Sequence, residues 1–164
     1  MALKQPLTVV WISDFPVEWL GNIPESLSKL PRRHPATWQI VLLDEFEKTP
    51  ALKLHVILFR GPIEKDFSFE RKGVTFHVLK ASGKMRLASF FWLDTLRIRR
   101  VCREVKPDLI HAWGSEKGSG LIASRLAWPY VMTIQGLFAW YKRRMKLPKY
   151  DRFVEVVERI TLNR

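Results

Sequence analysis

Cysteine occurs once in 164 residues, at Cys102. A lone thiol forms no internal disulfide and supplies no thiolate cluster for structural zinc, which suits a reducing cytosol. Long apolar runs are also missing. The stretch Leu7–Ile12 is interrupted by Thr8 and closed by Ser13 and Asp14, too short for the core of a signal peptide. Leu87–Leu93, the next candidate, falls far below the roughly 20 apolar residues of a spanning helix. Acids are scarce relative to bases: 16 Asp plus Glu stand against 28 Lys plus Arg, a net charge of +12. That balance favours anionic partners, whether phosphates, nucleic acid or an acidic membrane surface. There is no internal repeat and no low-complexity tract, and no His/Cys/Asp/Glu grouping has ligand spacing, so neither a metal nor another cofactor is expected.

What is present is a globular composition, 47% hydrophobic and 27% charged, at the length of one domain. Seven tryptophans and ten phenylalanines exceed what a core of this size requires, so some aromatic surface is expected to be exposed, with a large packed core as the alternative. Leu7–Ser13 is a β-branched apolar run and reads as a strand buried on both faces. Residues 14–35, with Pro16, Pro24, Pro31 and Pro35, read as a long loop with one helical turn near Glu25–Leu30. Pro35 suits the first position of a helix to about Lys48, with Trp38, Val41, Leu42 and Phe46 on its apolar face. Leu54–Phe59 and Val74–Leu79 give a second and a third strand.

One long amphipathic helix is expected from Arg86 to Lys106, with Leu87, Phe91, Ile98, Val101, Cys102 and Val105 inward and Arg99, Arg100, Arg103 and Lys106 outward. Leu109–Trp113 is a fourth strand, Gly114–Gly120 turns into a short helix through Ala127, and Tyr130–Gln135 is a fifth strand. A last helical stretch begins at Asp151 and runs uncapped off the C-terminus, as if the chain were cut there. Strands alternating with crossovers predict an α/β fold, a Rossmann-like doubly wound parallel sheet in the order 3-2-1-4-5.

In such a sheet ligands bind beyond the carboxyl ends of the strands, where the strand order reverses. The residues placed there are Ser13 and Asp14, then His111, Trp113, Gly114, Ser115 and Glu116, then Gln135 and Gly136. His111 reads either as a ligand or as a hydrogen-bonded core residue. Gly114–Gly120 reads either as an anion cradle at a helix start or as a tight turn with glycines for close packing.

Pro107-Asp108-Leu109-Ile110-His111-Ala112-Trp113-Gly114, followed by Trp128-Pro129-Tyr130-Val131-Met132-Thr133-Ile134-Gln135-Gly136, resembles the N-terminal half of GT-B glycosyltransferases of the family 4 type. The resemblance implies an acceptor-binding domain of a retaining transferase, residues 1–147, with 148–164 as a helix leading toward a second domain that holds most of the nucleotide-sugar site. It implies transfer of a sugar from a nucleotide-sugar to a glycan, polysaccharide or lipid-linked acceptor. This sequence departs from the family pattern at two places. The first strand leads into a proline-rich loop where relatives often carry Gly-Gly, and Trp113 and Gln135 stand where the family has histidines. Glutamine donates to and accepts from sugar hydroxyls but does not titrate near neutrality, so no catalytic residue is expected in this half.

From Trp140 to Arg152 six bases (Lys142, Arg143, Arg144, Lys146, Lys149 and Arg152) are interleaved with Trp140, Tyr141 and Tyr150. Trp140, Tyr141, Lys142, Arg143, Arg144 and Lys146 read as a patch for an anionic membrane surface, with a solvated face as the alternative. The protein is expected to be cytoplasmic and peripheral on the inner membrane face. The rival reading is a basic Rossmann-like module that binds nucleic acid or a phosphate ligand without catalysis, but the chain shows no RNA-recognition motif.

Overall fold

The computed structural model describes residues 6–32, 36–115 and 117–163. Its strands are β1 (Leu7–Ile12), β2 (Leu52–Arg60), β3 (Phe67–Arg71), β4 (Val74–Lys80), β5 (Leu109–Trp113) and β6 (Tyr130–Thr133). Its helices are α1 (Glu25–Ser28), α2 (Thr37–Glu47), α3 (Lys84–Ala88), α4 (Trp92–Val105), α5 (Ser119–Ala123), α6 (Phe138–Lys142) and α7 (Lys149–Leu162), with a 3-10 turn at Val17–Trp19.

The sheet order is β3-β4-β2-β1-β5-β6. The five strands expected from the sequence stand in the expected order and all pair in parallel. The sequence reading left out β3, which joins the edge antiparallel to β4. Lys72 and Gly73, both at positive φ (46° and 77°), close a two-residue hairpin whose twist matches that of the flanking strands.

Alternation along β1 sends its side chains into two cores. Val10 and Ile12 join Ile57, Phe59, Ile110 and Ala112 beneath α4, α5 and α7, which contribute Ile98, Cys102, Leu121, Ile122 and Val157. Val9 and Trp11 join Val56, Leu58 and Phe76 on the opposite face, covered by Leu27, Leu43, Phe15 and Val17. A strand buried on both faces needs a continuous apolar run, which Val9–Ile12 supplies.

Four expectations are corrected. In α2 Leu42 and Phe46 pack against the core as expected, but the fully buried positions are Gln39 and Leu43, and Trp38 and Val41 point outward, because the Gln39 amide is drawn in to the Ser13 hydroxyl; Pro35 lies outside the described residues. The helix expected over 86–106 is two helices. The Phe91 N–H reaches the Arg86 carbonyl and the Phe90 N–H that of Leu87, a Schellman-type end built with Phe90 (φ 50°) in place of glycine. Phe91 is also left-handed (φ 61°), and such backbone costs about 1–2 kcal/mol per non-glycine residue. Burial of the Phe91 ring offsets that cost, and the break leaves Leu87 exposed. Finally, β6 ends at Thr133, so Gln135 lies in a bend after the strand, and α7 starts two residues before Asp151, at Lys149.

Candidate functional site

The chain leaves β1 through Ser13 and Asp14. Ser13 is buried and donates its hydroxyl to Gln39 Oε1 at 2.7 Å. Asp14 is half-buried and accepts from Arg60 Nη1 at 3.0 Å. Arg60 ends β2 and is 1% exposed; its other amino group bonds the Phe15 carbonyl and Glu18 Oε2, the latter at 2.9 Å. One guanidinium thus ties residues 14–18 to the sheet. This explains why the start of a proline-rich segment with only short helical turns is packed rather than loose: Phe15, Val17 and Glu18 are all buried.

Ser13 and Asp14 border a cavity of about 160 Å³ beyond the carboxyl ends of β1, β2 and β4. Its far wall is Lys117 and Ser119 at the start of α5, and its side wall is Arg86 of α3. Arg86 Nε donates to the fully buried Asp94 at 2.5 Å, and its guanidinium lies 4.4 Å from the centre of the Phe59 ring. Burial pushes the Asp94 carboxyl above its usual range, against the pull of Arg86. The lining of the cavity therefore includes a carboxylate, two cations and two hydroxyls. That set is suited to sugar hydroxyls and to an anion.

The other expected residues are distributed differently. His111 donates to or accepts from the Thr133 hydroxyl through Nε2 at 2.7 Å, stacks on Trp113 (4.4 Å between centres) and meets Trp11 edge-on. Burial lowers its pKa. Trp113 is buried in the core opposite the cavity. Gly114 (φ 77°) donates its N–H to the Thr133 carbonyl at 2.9 Å. Ser115 is buried and bonds Glu158 Oε2 at 3.0 Å; the same carboxylate accepts the N–H groups of Phe138 and Ala139 at 3.2 and 3.1 Å. Glu158 so joins the β5 loop, the start of α6 and α7. Glu116 lies outside the described residues, Gln135 is exposed, and Gly136 lies against the Tyr141 ring. Glycine is required within Gly114–Gly120 for packing: a Cβ on Gly118 (φ 77°) would fall 2.7 Å from the Phe91 ring, and one on Gly120 would fall 2.3 Å from Met132 Sδ.

In the basic segment Trp140 and Tyr141 are exposed, but two cations are already engaged. Lys142 pairs with Glu155 at 3.0 Å, and Arg144 stacks 3.9 Å over Trp140. Arg143 and Lys146 are exposed. Among the described residues, no helix is long and apolar enough to cross a membrane.

A family profile, the glycosyl transferase 4-like domain, matches residues 41–164, which contain every strand but β1 together with the walls of the cavity beyond residue 14. The chain belongs to the glycosyl transferase 4-like family. This glycosyltransferase domain is similar to sucrose-phosphate synthase from Thermosynechococcus elongatus, with a TM-score of 0.64 at 12% identity over 96% of the chain and 40% of that structure. It also matches a trehalose-6-phosphate structure from E. coli bound with UDP-2-fluoro glucose, at TM-score 0.43 and 10% identity over 89% of the chain and 37% of that structure. No curated protein matches the sequence. The glycosyltransferase 4-like domain described here thus spans about two fifths of the length of those structures, and its fold is of the GT-B type.

Sequence reasoning did not single out three side chains that shape this family member's site: Arg60, Arg86 and Lys117. Arg60 had a legible signal, a lone cation ending an apolar strand just before Gly61-Pro62. Arg86 had none, since its partner Asp94 lies across a helix break that the periodicity concealed.

Proposed function

We propose that the chain is the acceptor-side domain of a retaining glycosyltransferase that moves a sugar from a nucleotide-sugar to a lipid-linked or polysaccharide acceptor at a membrane face. Residues 1–147 form the acceptor domain, and α7 leads toward a second domain that carries most of the donor site. The observation that carries this reading is the cavity at the carboxyl edge of β1, lined by Asp14, Arg86 and Lys117, in a member of this family. Ligands of open α/β sheets bind at that edge. Asp14 accepts from sugar hydroxyls, Lys117 and Arg86 attract a phosphate on the acceptor or donor, and Ser119 supplies a further hydroxyl. No side chain here serves as general acid or base: His111 is occupied by Thr133, and burial pushes its pKa below the ordinary histidine value.

The test is titration of the purified chain with a hexose phosphate, followed by NMR. Lys117→Gln and Asp14→Asn should each weaken binding about tenfold or more, in line with loss of a charged hydrogen bond. Absence of binding, or binding indifferent to both substitutions, overturns the assignment. Retention is read from the anomeric configuration of the product formed by a chain that also carries the second domain.

A further inference from the structure

The elbow between α3 and α4 gathers exposed apolar side chains that the acceptor-site reading leaves without a task. Met85, Leu87, Trp92, Leu93 and Leu96 are between 36 and 57% exposed there. Residues 84–106 also hold seven cations against two acids, the buried Asp94 and the exposed Glu104, whose carboxylate lies 3.8 Å from Arg100 Nε. On the outward face of α4 the apolar group Trp92, Leu93 and Leu96 fills the first turns, and Arg99, Arg100 and Arg103 follow at helical spacing. The Trp92 ring lies 5.9 and 5.2 Å from the guanidinium groups of Arg99 and Arg125.

This knuckle is held in place. Arg125 Nη1 donates to the Phe90 carbonyl at 2.7 Å, Arg86 grips Asp94 in the first turn of α4, and the Phe90 and Phe91 rings turn inward onto Phe153. The inward turn of those two rings is what leaves Trp92 and Leu93 facing out. The elbow follows the carboxyl end of β4, so it stands on the same rim as the acceptor cavity, which Arg86 itself lines.

We propose that the α3–α4 elbow is a membrane-docking surface that seats Trp92, Leu93 and Leu96 among the headgroups of an anionic bilayer, with Lys84, Arg100 and Arg103 on lipid phosphates. The inference rests on the acceptor-site reading only for its position beside that cavity. A bilayer interface accepts an aromatic ring, aliphatic side chains and a row of like charge together. A polynucleotide offers cations and rings a partner but gives Met85, Leu87, Leu93 and Leu96 nothing to contact. A protein partner would need its own acids to meet this charge. The Trp140–Lys146 segment, where Lys142 pairs with Glu155 and Arg144 stacks on Trp140, is the alternative surface that the experiment separates from the elbow.

The experiment is co-sedimentation of the 164-residue chain with vesicles of phosphatidylcholine, with or without phosphatidylglycerol, at about 0.15 M salt, where screening is already strong. The chain should sediment with the anionic vesicles and not with the neutral ones. Leu93→Glu/Leu96→Glu should lower partitioning at least about tenfold, and Trp140→Ala should leave it within about twofold. Should the glutamate variant fail to fold by circular dichroism, Lys84→Gln/Arg100→Gln/Arg103→Gln replaces it and should also cost at least about tenfold. The proposal is overturned if the chain ignores anionic vesicles, if the folded elbow variants bind as well as the parent, if binding is lost with Trp140→Ala, or if single-stranded RNA displaces the vesicles. Hexose phosphate titration of the same proteins separates the two readings: binding of the sugar phosphate without binding of vesicles removes the elbow and leaves the acceptor site standing.

Discussion

Lowering the pH should destabilise this domain through one buried histidine. His55 sits on β2, on the sheet face that α4 covers, 7% exposed, with Nδ1 3.0 Å from His77 Nε2 and Nε2 buried without a partner. Burial, then the neighbouring His77 and Lys53, pushes its pKa down from 6.5 to about 4. The folded chain therefore keeps His55 neutral while the unfolded chain takes up a proton near pH 6.5. Stability attributable to this residue is whole above that pH and falls as the pH drops toward 4. At 1.36 kcal/mol per unit, a displacement from 6.5 to about 4 withdraws about 3 kcal/mol by pH 4, with a steepest slope near 1 kcal/mol per pH unit. Urea unfolding across pH 7.5 to 4 measures it, with His55→Asn as the comparison, since asparagine keeps a polar group near the Nδ1 position. Carboxylates titrate in both proteins and cancel in the difference. The parent should lose about 3 kcal/mol more than the variant over that range. Parallel curves would refute the assignment of a neutral buried His55.

Replacing Arg60 by Met should cost about 3–5 kcal/mol, because Glu18 would stay buried without its cation; the shift in urea midpoint reads it, and a loss under about 1 kcal/mol would contradict the clamp. Gly118→Ala should destabilise by about 1–3 kcal/mol, combining left-handed backbone with a methyl against the Phe91 ring, and a neutral thermal midpoint would argue against that packing. The chain alone should neither transfer nor hydrolyse any nucleotide-sugar; turnover above that of a matched variant such as Asp14→Asn would show that this half carries more of the chemistry than its side chains suggest.

The order of the parallel strands was legible because each strand is a short β-rich run separated by a crossover long enough to be a helix. The carboxyl-edge position of Ser13 and Asp14 followed from it. Two features of the helices were not legible. The helix break at Ser89–Phe91 is stabilised by aromatic burial in the Phe153 cluster, a tertiary effect that outweighs the local preference against left-handed phenylalanine, and helical periodicity passes through it unmarked. The face of α2 was right at Leu42 and Phe46 but wrong at Trp38 and Val41 because Gln39 points inward: a buried amide satisfied by Ser13 reads as polar and outward in any hydrophobic pattern. The β3 hairpin did have a signal, the alternation Phe67-Ser68-Phe69 before Lys72-Gly73. In the site, Lys117 and Arg86 converge only because α3 and α5 begin on the same rim, which no linear spacing reports.

The Arg60 clamp bears on the thermodynamics of any ligand that enters the cavity. A long loop that becomes ordered only when its ligand arrives subtracts roughly 1–2 kcal/mol of conformational entropy per residue from the affinity. Here residues 14–18 are already fixed by the guanidinium and by burial of Phe15 and Val17, so the wall that presents Asp14 is set when the domain folds. Calorimetry of a sugar ligand should accordingly show little loop-ordering entropy and a heat-capacity change no larger than the small cavity lining accounts for.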